Sequence, residues 1–316
     1  MPHIIYTLEN AIDSFFLEAG ASSSRMECDE VARQRCGGEI RPVDIRGSTS
    51  YTVIAGQSGN KIIQFREKTA LLDMRMLALA KDIYGDVVAS CSELGWVGNQ
   101  NGSQLAIYKM DRLPGENYIT ARPSFTRDQR LNTVYSLASL VDRSAISTEC
   151  YARFEYLAGV LPERFLSAVT EVQAALPALL DGSYPMALTH SDLNEMNILV
   201  DVRSGNITGV VDWTDASMQP FGFTLYALEN ALGSMGPNGW KWFDNVDELR
   251  AAFWSSFREQ TGVYEPQTKL IKLAGKAGIL IRYGTAYDRE FPGMIGVRDP
   301  NTEDFRYLDA LIVTTP

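Results

Sequence analysis

ALTHSDLNEMNILVD (Ala187–Asp201), followed after a short turn by ITGVVDWTDA (Ile207–Ala216), decides how this chain is read. His190 is one of two histidines in 316 residues and stands two places before an aspartate in an otherwise apolar run. NILV and ITGVV, joined by DVRSGN, have the alternating apolar character of a tight hairpin. A hairpin brings its ends together. Asn197, at the start of the first strand, and Asp212, at the end of the second, are therefore expected side by side, with Asp192 on the loop leading in. One carboxylate and one amide oxygen suit magnesium, which keeps several waters and takes few protein ligands. A further carboxylate, set apart from the metal, can accept the proton of an attacking hydroxyl. Metal clamps for phosphates and a base for the nucleophile are the parts that phosphoryl transfer from ATP requires.

HSDLNEMN fills every fixed position of H-x-D-L-x-x-x-N, the catalytic-loop pattern of kinases, and VVDW places an aspartate where kinases carry the metal-binding D-F-G. The two motifs occur in order, with Asn197 and Asp212 fifteen residues apart. Singly, Asp192 reads as a turn or capping aspartate and Asn197 as a turn asparagine; together with Asp212 they read as a site.

On these residues the chain resembles the aminoglycoside phosphotransferase and choline kinase branch of the protein-kinase-like fold. It is most similar to that branch's fungal members, through QFRE (Gln64–Glu67), LAIYKM (Leu105–Met110) and PFGFTLYALE (Pro220–Glu229). The likeness runs from about Ile40 to Ala231. It implies an α+β, two-lobed fold: a small antiparallel-sheet lobe with one main helix, then a larger, mostly helical lobe. It also implies Asp192 as the base, and Asn197 and Asp212 as magnesium ligands. Three departures matter. Ser191 replaces the arginine that reads a phosphorylated activation loop, and no A-P-E follows DWTDA, so a small-molecule acceptor is expected rather than a protein. Related small-molecule kinases carry glutamate after the D-W pair; this chain has Thr214, then Asp215.

The expected boundary falls near Asp111, giving a nucleotide-binding lobe over 1–111 and a catalytic and substrate lobe over 112–316. The first lobe reads as strands at Arg41–Arg46, Tyr51–Ala55, Lys61–Arg66, Val87–Leu94 and Gln104–Met110, with a helix in KTALLDMRMLALAKDIYG between the third and fourth. The second reads as helices at Arg127–Asp142, Pro162–Leu180, Leu225–Leu232, Val246–Glu259 and Thr268–Tyr283, with the hairpin as the one strand island. Kinases hold the α- and β-phosphates with a lysine on the third strand, and KIIQFRE offers none at the inward position. Gln64 and Arg66 alternate onto one face. Arg66 is the first choice, since a guanidinium grips phosphate as a fork, Gln64 the second, and Asp73 the expected acidic partner. Lys61 and Lys68 read as surface charges. GSTSYT replaces the glycine-rich loop; Ser48, Thr49 and Ser50 cup a phosphate or form an ordinary serine-rich turn, and both readings stand. Backbone groups from Tyr108 to Met110 are expected to read the adenine edge.

A net charge of −10 argues against a nucleic-acid grip. The four cysteines are scattered, without a CxxC pair, and suit free thiols in a reducing compartment. No apolar run approaches the roughly 20 residues of a membrane span, and the N-terminal stretch reads as an amphipathic helix, so a cytoplasmic protein is expected. His190 reads as a loop-orienting core histidine; Trp213 reads as core or as a wall of the substrate cleft, and Trp240, Trp242, Tyr283 and Tyr287 as packing residues or, for some of them, as the lining of an acceptor pocket. G-x-S-x-G, H-E-x-x-H, G-x-x-x-x-G-K-[ST] and G-x-G-x-x-G are absent, leaving hydrolase, zinc-enzyme, P-loop and Rossmann readings without local support. The expectation is an ATP- and Mg2+-dependent phosphotransferase acting on a small-molecule hydroxyl, either as an end reaction or to activate a natural-product intermediate for elimination or condensation. The rival is a nucleotide-binding or scaffolding pseudokinase, kept in view by the missing lysine.

Overall fold

The computed structural model describes residues 7–18, 22–44, 49–99, 102–139, 149–214, 216–265, 267–287, 295–297 and 303–314. The chain falls into two units: Met1–Gly115 with Thr208–Thr214, and Glu116–Ile207 with Asp215–Pro316. No helix among the described residues is long and apolar enough to cross a membrane.

The first unit runs α1 (Leu8–Glu18), α2 (Arg25–Cys36), β1 (Arg41–Pro42), β2 (Ser50–Ala55), β3 (Lys61–Arg66), α3 (Met74–Tyr84), β4 (Cys91–Val97) and β5 (Leu105–Asp111). The strands form one antiparallel sheet in the order β1-β2-β3-β5-β4. Strand alternation divides its residues between two faces. Tyr51, Val53, Ile63, Phe65, Leu105 and Ile107 join Ile12 and Phe15 of α1 and Cys28 and Ala32 of α2 in one buried apolar cluster. Ser50, Thr52, Gln64, Arg66 and Tyr108 fall on the opposite face. The polar α2 was not foreseen, although Ser24 and Glu27 close a capping box at its start. The strand expected from Val87 begins only at Cys91, because Gly85–Val87 form a 3-10 turn. α3 likewise starts late: Asp73 caps it, and Lys68–Ala70 form a separate turn.

The second unit continues with β6 (Glu116–Asn117), α4 (Tyr118–Ala121), α5 (Arg127–Ser139), α6 (Glu149–Val160), α7 (Glu163–Leu180), β7 (Met186–Thr189) and β8 (Ile198–Val200). β9 (Ile207–Val210) follows and passes into the first unit at Thr208. Then come β10 (Ser217–Pro220), α8 (Tyr226–Ala231), β11 (Gly233–Gly236), β12 (Gly239–Trp242), α9 (Val246–Thr261), α10 (Gln267–Gly284), β13 (Thr285–Tyr287), β14 (Ile295–Val297) and α11 (Glu303–Leu308). The hairpin is not a lone strand island: β7 pairs with β10, β11 with β12, and β13 with β14. The turn after β8 is closed by Asp201 N–H donating to Asn206 O at 2.9 Å, and the Asp201 carboxylate accepts from the backbone of Arg203 and Ser204. Gly205 within it has φ +80°, and an added Cβ would lie 2.2 Å from the Gln129 carbonyl oxygen of α5. α10 packs against α7 and the Phe223–Leu225 turn. That approach needs Gly278, where a Cβ would meet the Phe223 oxygen at 1.8 Å.

Candidate active site

Asp192 sits on the loop that leaves β7, and the loop is held by its own residues. Asp192 N–H donates to His190 Nδ1 at 3.3 Å; the buried Tyr226 hydroxyl accepts from Leu193 N–H at 2.8 Å and donates to the His190 carbonyl at 3.2 Å. His190 is thus a buried anchor of the loop. Burial pushes the Tyr226 phenol well above its ordinary value, so it stays protonated. Asn194 donates to Asp192 Oδ1 at 2.8 Å, and Asn197 Nδ2 donates to the Asp192 carbonyl at 2.8 Å and to its Oδ2 at 3.3 Å. A terminal nitrogen of Arg282, in the last turn of α10, is ion-paired with Asp192 Oδ1. Beneath the loop, Glu195 is buried against Arg122 at 3.1 Å. Arg122 also donates to the Asn230 carbonyl at 3.3 Å, and the Asn230 amide exchanges hydrogen bonds with Tyr283 Oη at 2.7 and 2.9 Å. Ile119 N–H and the Asn117 amide donate to the Glu195 and Met196 carbonyls.

Asp212 belongs to the first unit. Its φ of +61° is the only positive value at a non-glycine residue among those described, a conformation that L residues adopt at a cost and keep where the surroundings enforce it. Thr214 Oγ1 donates to Asp212 Oδ1 at 2.6 Å, and Arg66 Nη1 lies 3.7 Å from the same oxygen. Trp213 fixes the strand from below: its indole donates to Val210 O at 3.0 Å, and its ring meets Tyr84 of α3 at 5.2 Å. Val210 also bridges Val88. Trp213 is therefore a buried packing residue.

Arg66 is 3% exposed. Its Nε donates to Ala70 O at 2.5 Å, Nη1 to Gln64 Oε1 at 3.1 Å and Nη2 to Thr49 Oγ1 at 3.3 Å. Gln64 passes the chain on to Ser50 and Thr52, both at 3.3 Å. Two expectations are corrected. Asp73 is not the partner of Arg66; its carboxylate accepts from Arg75 N and Met76 N at the start of α3, and Arg66 pairs with Asp212 instead. Tyr108 to Met110 do not offer a free backbone edge, because β5 is paired with β3 on one side and β4 on the other. Tyr108 itself is buried and accepts from Leu72 N–H at 3.3 Å. Ser50 is buried in β2, while Ser48 lies outside the described residues. Lys61 pairs with Asp111 at 2.5 Å and Lys68 lies over the Trp96 ring at 5.7 Å. Arg282, Glu195 and Arg122 were not picked out from the sequence.

Taken singly, each of the two expected ligands fits magnesium by its donor chemistry. Asn197 commits its amide nitrogen to Asp192, which leaves its carbonyl oxygen as donor to a cation, and Asp212 is a half-exposed carboxylate. Among the described residues no group of three or more His, Cys, Asp or Glu forms a metal cluster.

The chain is α+β, with an antiparallel sheet in its first unit and eight of its eleven described helices in its second. Residues 75–233 match the phosphotransferase enzyme family (APH), and the chain belongs to that family, with its protein-kinase-like fold. Clavilactone A biosynthesis cluster protein Y of Ampulloclitocybe clavipes is 40% identical over 65 residues, 21% of this chain and 13% of that protein, so the match spans a small part of that relative's length. Aminoglycoside-3'-phosphotransferase of type VIII is 18% identical, with 79% of this chain and 99% of that one covered and a TM-score of 0.45. The ternary complex of streptomycin, ATP and APH(2")-IIa is 12% identical over 83% of this chain and 88% of the other, with a TM-score of 0.49. APH(3'')-Id of Streptomyces rimosus is 13% identical over 78% and 95%, with a TM-score of 0.46.

Proposed function

We propose that the protein transfers the γ-phosphoryl group of ATP to a hydroxyl of a small molecule in a magnesium-dependent reaction. One observation carries the reading: within His190–Asn197 the His190 ring accepts from the Asp192 N–H and the amides of Asn194 and Asn197 donate to its carboxylate, which fixes Asp192 on the loop. Asp192 orients the acceptor hydroxyl and takes its proton as the oxygen–phosphorus bond forms. The bond from the γ-phosphorus to the β–γ bridging oxygen breaks, and ADP leaves with that electron pair. Asn197 and Asp212 would hold magnesium, which would supply the charge that neutralises the nucleotide's phosphates. Arg66, with Gln64 and Thr49 behind it, steadies the triphosphate in place of a lysine. Family membership and the 65-residue likeness to a biosynthesis cluster protein support an acceptor from natural-product metabolism. The phosphate then serves either as the product's own group or as a leaving group for elimination or condensation.

The test is ADP release over a panel of sugars, amino alcohols, phenols and hydroxy acids, alongside thermal shifts with ATP in the presence and absence of magnesium. Asp192→Asn is expected to keep the nucleotide shift and to lower turnover about 10²–10⁴-fold, the usual loss for a general base. A nucleotide shift indifferent to magnesium, with no ADP release, marks the pseudokinase instead.

A further inference from the structure

We infer that the acceptor carries an anion, a carboxylate or phosphate, beside the hydroxyl it offers, and that Arg282 is the residue that recognises it. The inference rests on the phosphotransferase reading and names the substrate class of that same site. Arg282 is not part of the catalytic loop; it stands ninety positions beyond Asp192, at the C-terminal end of α10. Its guanidinium lies 5.5 Å from the centroid of the Tyr283 ring. That ring is itself fixed, stacked on Tyr307 at 4.8 Å with 1° between planes and tied through its hydroxyl to Asn230. Gly278, four residues before Arg282, holds the helix against the Phe223 carbonyl. The cation is therefore held on a built wall.

The pairing poses a chemical problem. Asp192 Oδ1 already accepts from Asn194, and Arg282 adds a second, charged donor to the same oxygen, while Asn197 takes Oδ2. Two donors thus occupy Oδ1, and that oxygen is not open to an acceptor hydroxyl while Arg282 stays in place. An acceptor with its own carboxylate or phosphate offers the guanidinium an equivalent fork. Arg282 then exchanges one anion for another, net charge is conserved, and Asp192 is released to the hydroxyl only when the right acceptor is present. Both side chains reach solvent, with Arg282 27% and Asp192 39% exposed, so the exchange needs no unfolding. A cationic acceptor brings like charge toward the guanidinium and supplies no anion for it to move to; a neutral acceptor supplies none either.

The experiment uses acceptors that share a skeleton and differ in charge: glycerate, glycerol and serinol, and 3-phenyllactate, 3-phenylpropane-1,2-diol and phenylalaninol. ADP release is expected to favour the anionic member of a set by about tenfold or more in kcat/KM. Arg282→Gln should erase the preference without changing the KM for ATP, and Arg282→Lys, which keeps the charge, should retain part of it. Preference for the neutral or cationic members, or an unchanged preference in Arg282→Gln, overturns the inference. Water as acceptor gives a second readout that needs no correct skeleton. Sodium acetate, compared with sodium chloride at equal ionic strength, should raise magnesium-ATP hydrolysis in the wild type and not in Arg282→Gln; equal rates in the two salts also overturn it. Hydrolysis no higher than in Asp192→Asn under every condition counts instead against the phosphotransferase reading itself.

Discussion

Arg66 shows how much one side chain is asked to do. Its guanidinium serves Ala70 O, Gln64, Thr49 and Asp212 from a position 3% exposed. Lysine keeps the charge but has one nitrogen, and cannot reach four separated acceptors. Arg66→Lys is expected to cost about 1–3 kcal/mol of stability by urea unfolding, from buried acceptors left without a donor, and to raise the KM for ATP more than it lowers kcat. Unchanged stability would show that the four contacts are not worth their geometry. That Gln64 and Arg66 share a face was legible, because strand alternation is set by two consecutive dihedral pairs and needs no tertiary information. The identity of the acid facing Arg66 was not. Asp73 is close in sequence, but it sits before a helix whose first amide groups need an acceptor, and capping claimed it. Arg282 carried no local signal at all: one arginine in an amphipathic helix reads as a solvated face until the fold sets it against Asp192.

At the level of elements, the loop carrying Asp192 is anchored through the buried pair of Glu195 with Arg122, whose side chains are 9% and 6% exposed. Removing one partner leaves the other as an uncompensated buried charge. Arg122→Met is expected to destabilise the protein by about 3–5 kcal/mol. Replacing both, Arg122→Met with Glu195→Leu, should recover much of that loss, because the penalty belongs to the stranded charge rather than to the pair. Urea unfolding of the two single variants and the double decides it, and additive losses would contradict the argument. Long elements with sustained periodicity were legible in the sequence: α7, α9 and α10 begin and end within two residues of expectation. β11 and β12 were not, since four-residue strands rich in glycine carry no alternation to read. α2 was missed for the opposite reason. It is polar along most of its length and buries only Cys28 and Ala32, so its capping box was the single usable sign.

Across the whole molecule, several weak acids are buried in their neutral forms, and this sets the direction of the pH response. In the first unit, burial pushes the Cys91 thiol up to about 11 from 9.0 and the Cys28 thiol up to about 12. In the second, burial pushes Tyr118 up to about 12 from 10.0, and raises Tyr226 and Tyr283 above their ordinary value. Each group ionises more readily in the unfolded chain. From about pH 9 upward the unfolded state therefore binds fewer protons than the native state, and stability falls as pH rises. The contribution is complete below the unfolded values and is lost progressively through the folded ones. The melting temperature is thus expected to be insensitive to these groups near neutrality, and to drop steadily once the thiols and then the phenols begin to titrate in the unfolded chain. Cys91→Ala removes one ionisable group without introducing a charge, so its melting temperature should decline less steeply than that of the wild type over the first part of that range. A melting temperature flat to about pH 11 in the wild type, or the same slope in Cys91→Ala, would mean that these groups are already hydrated in the native protein and that burial does not govern its alkaline limit.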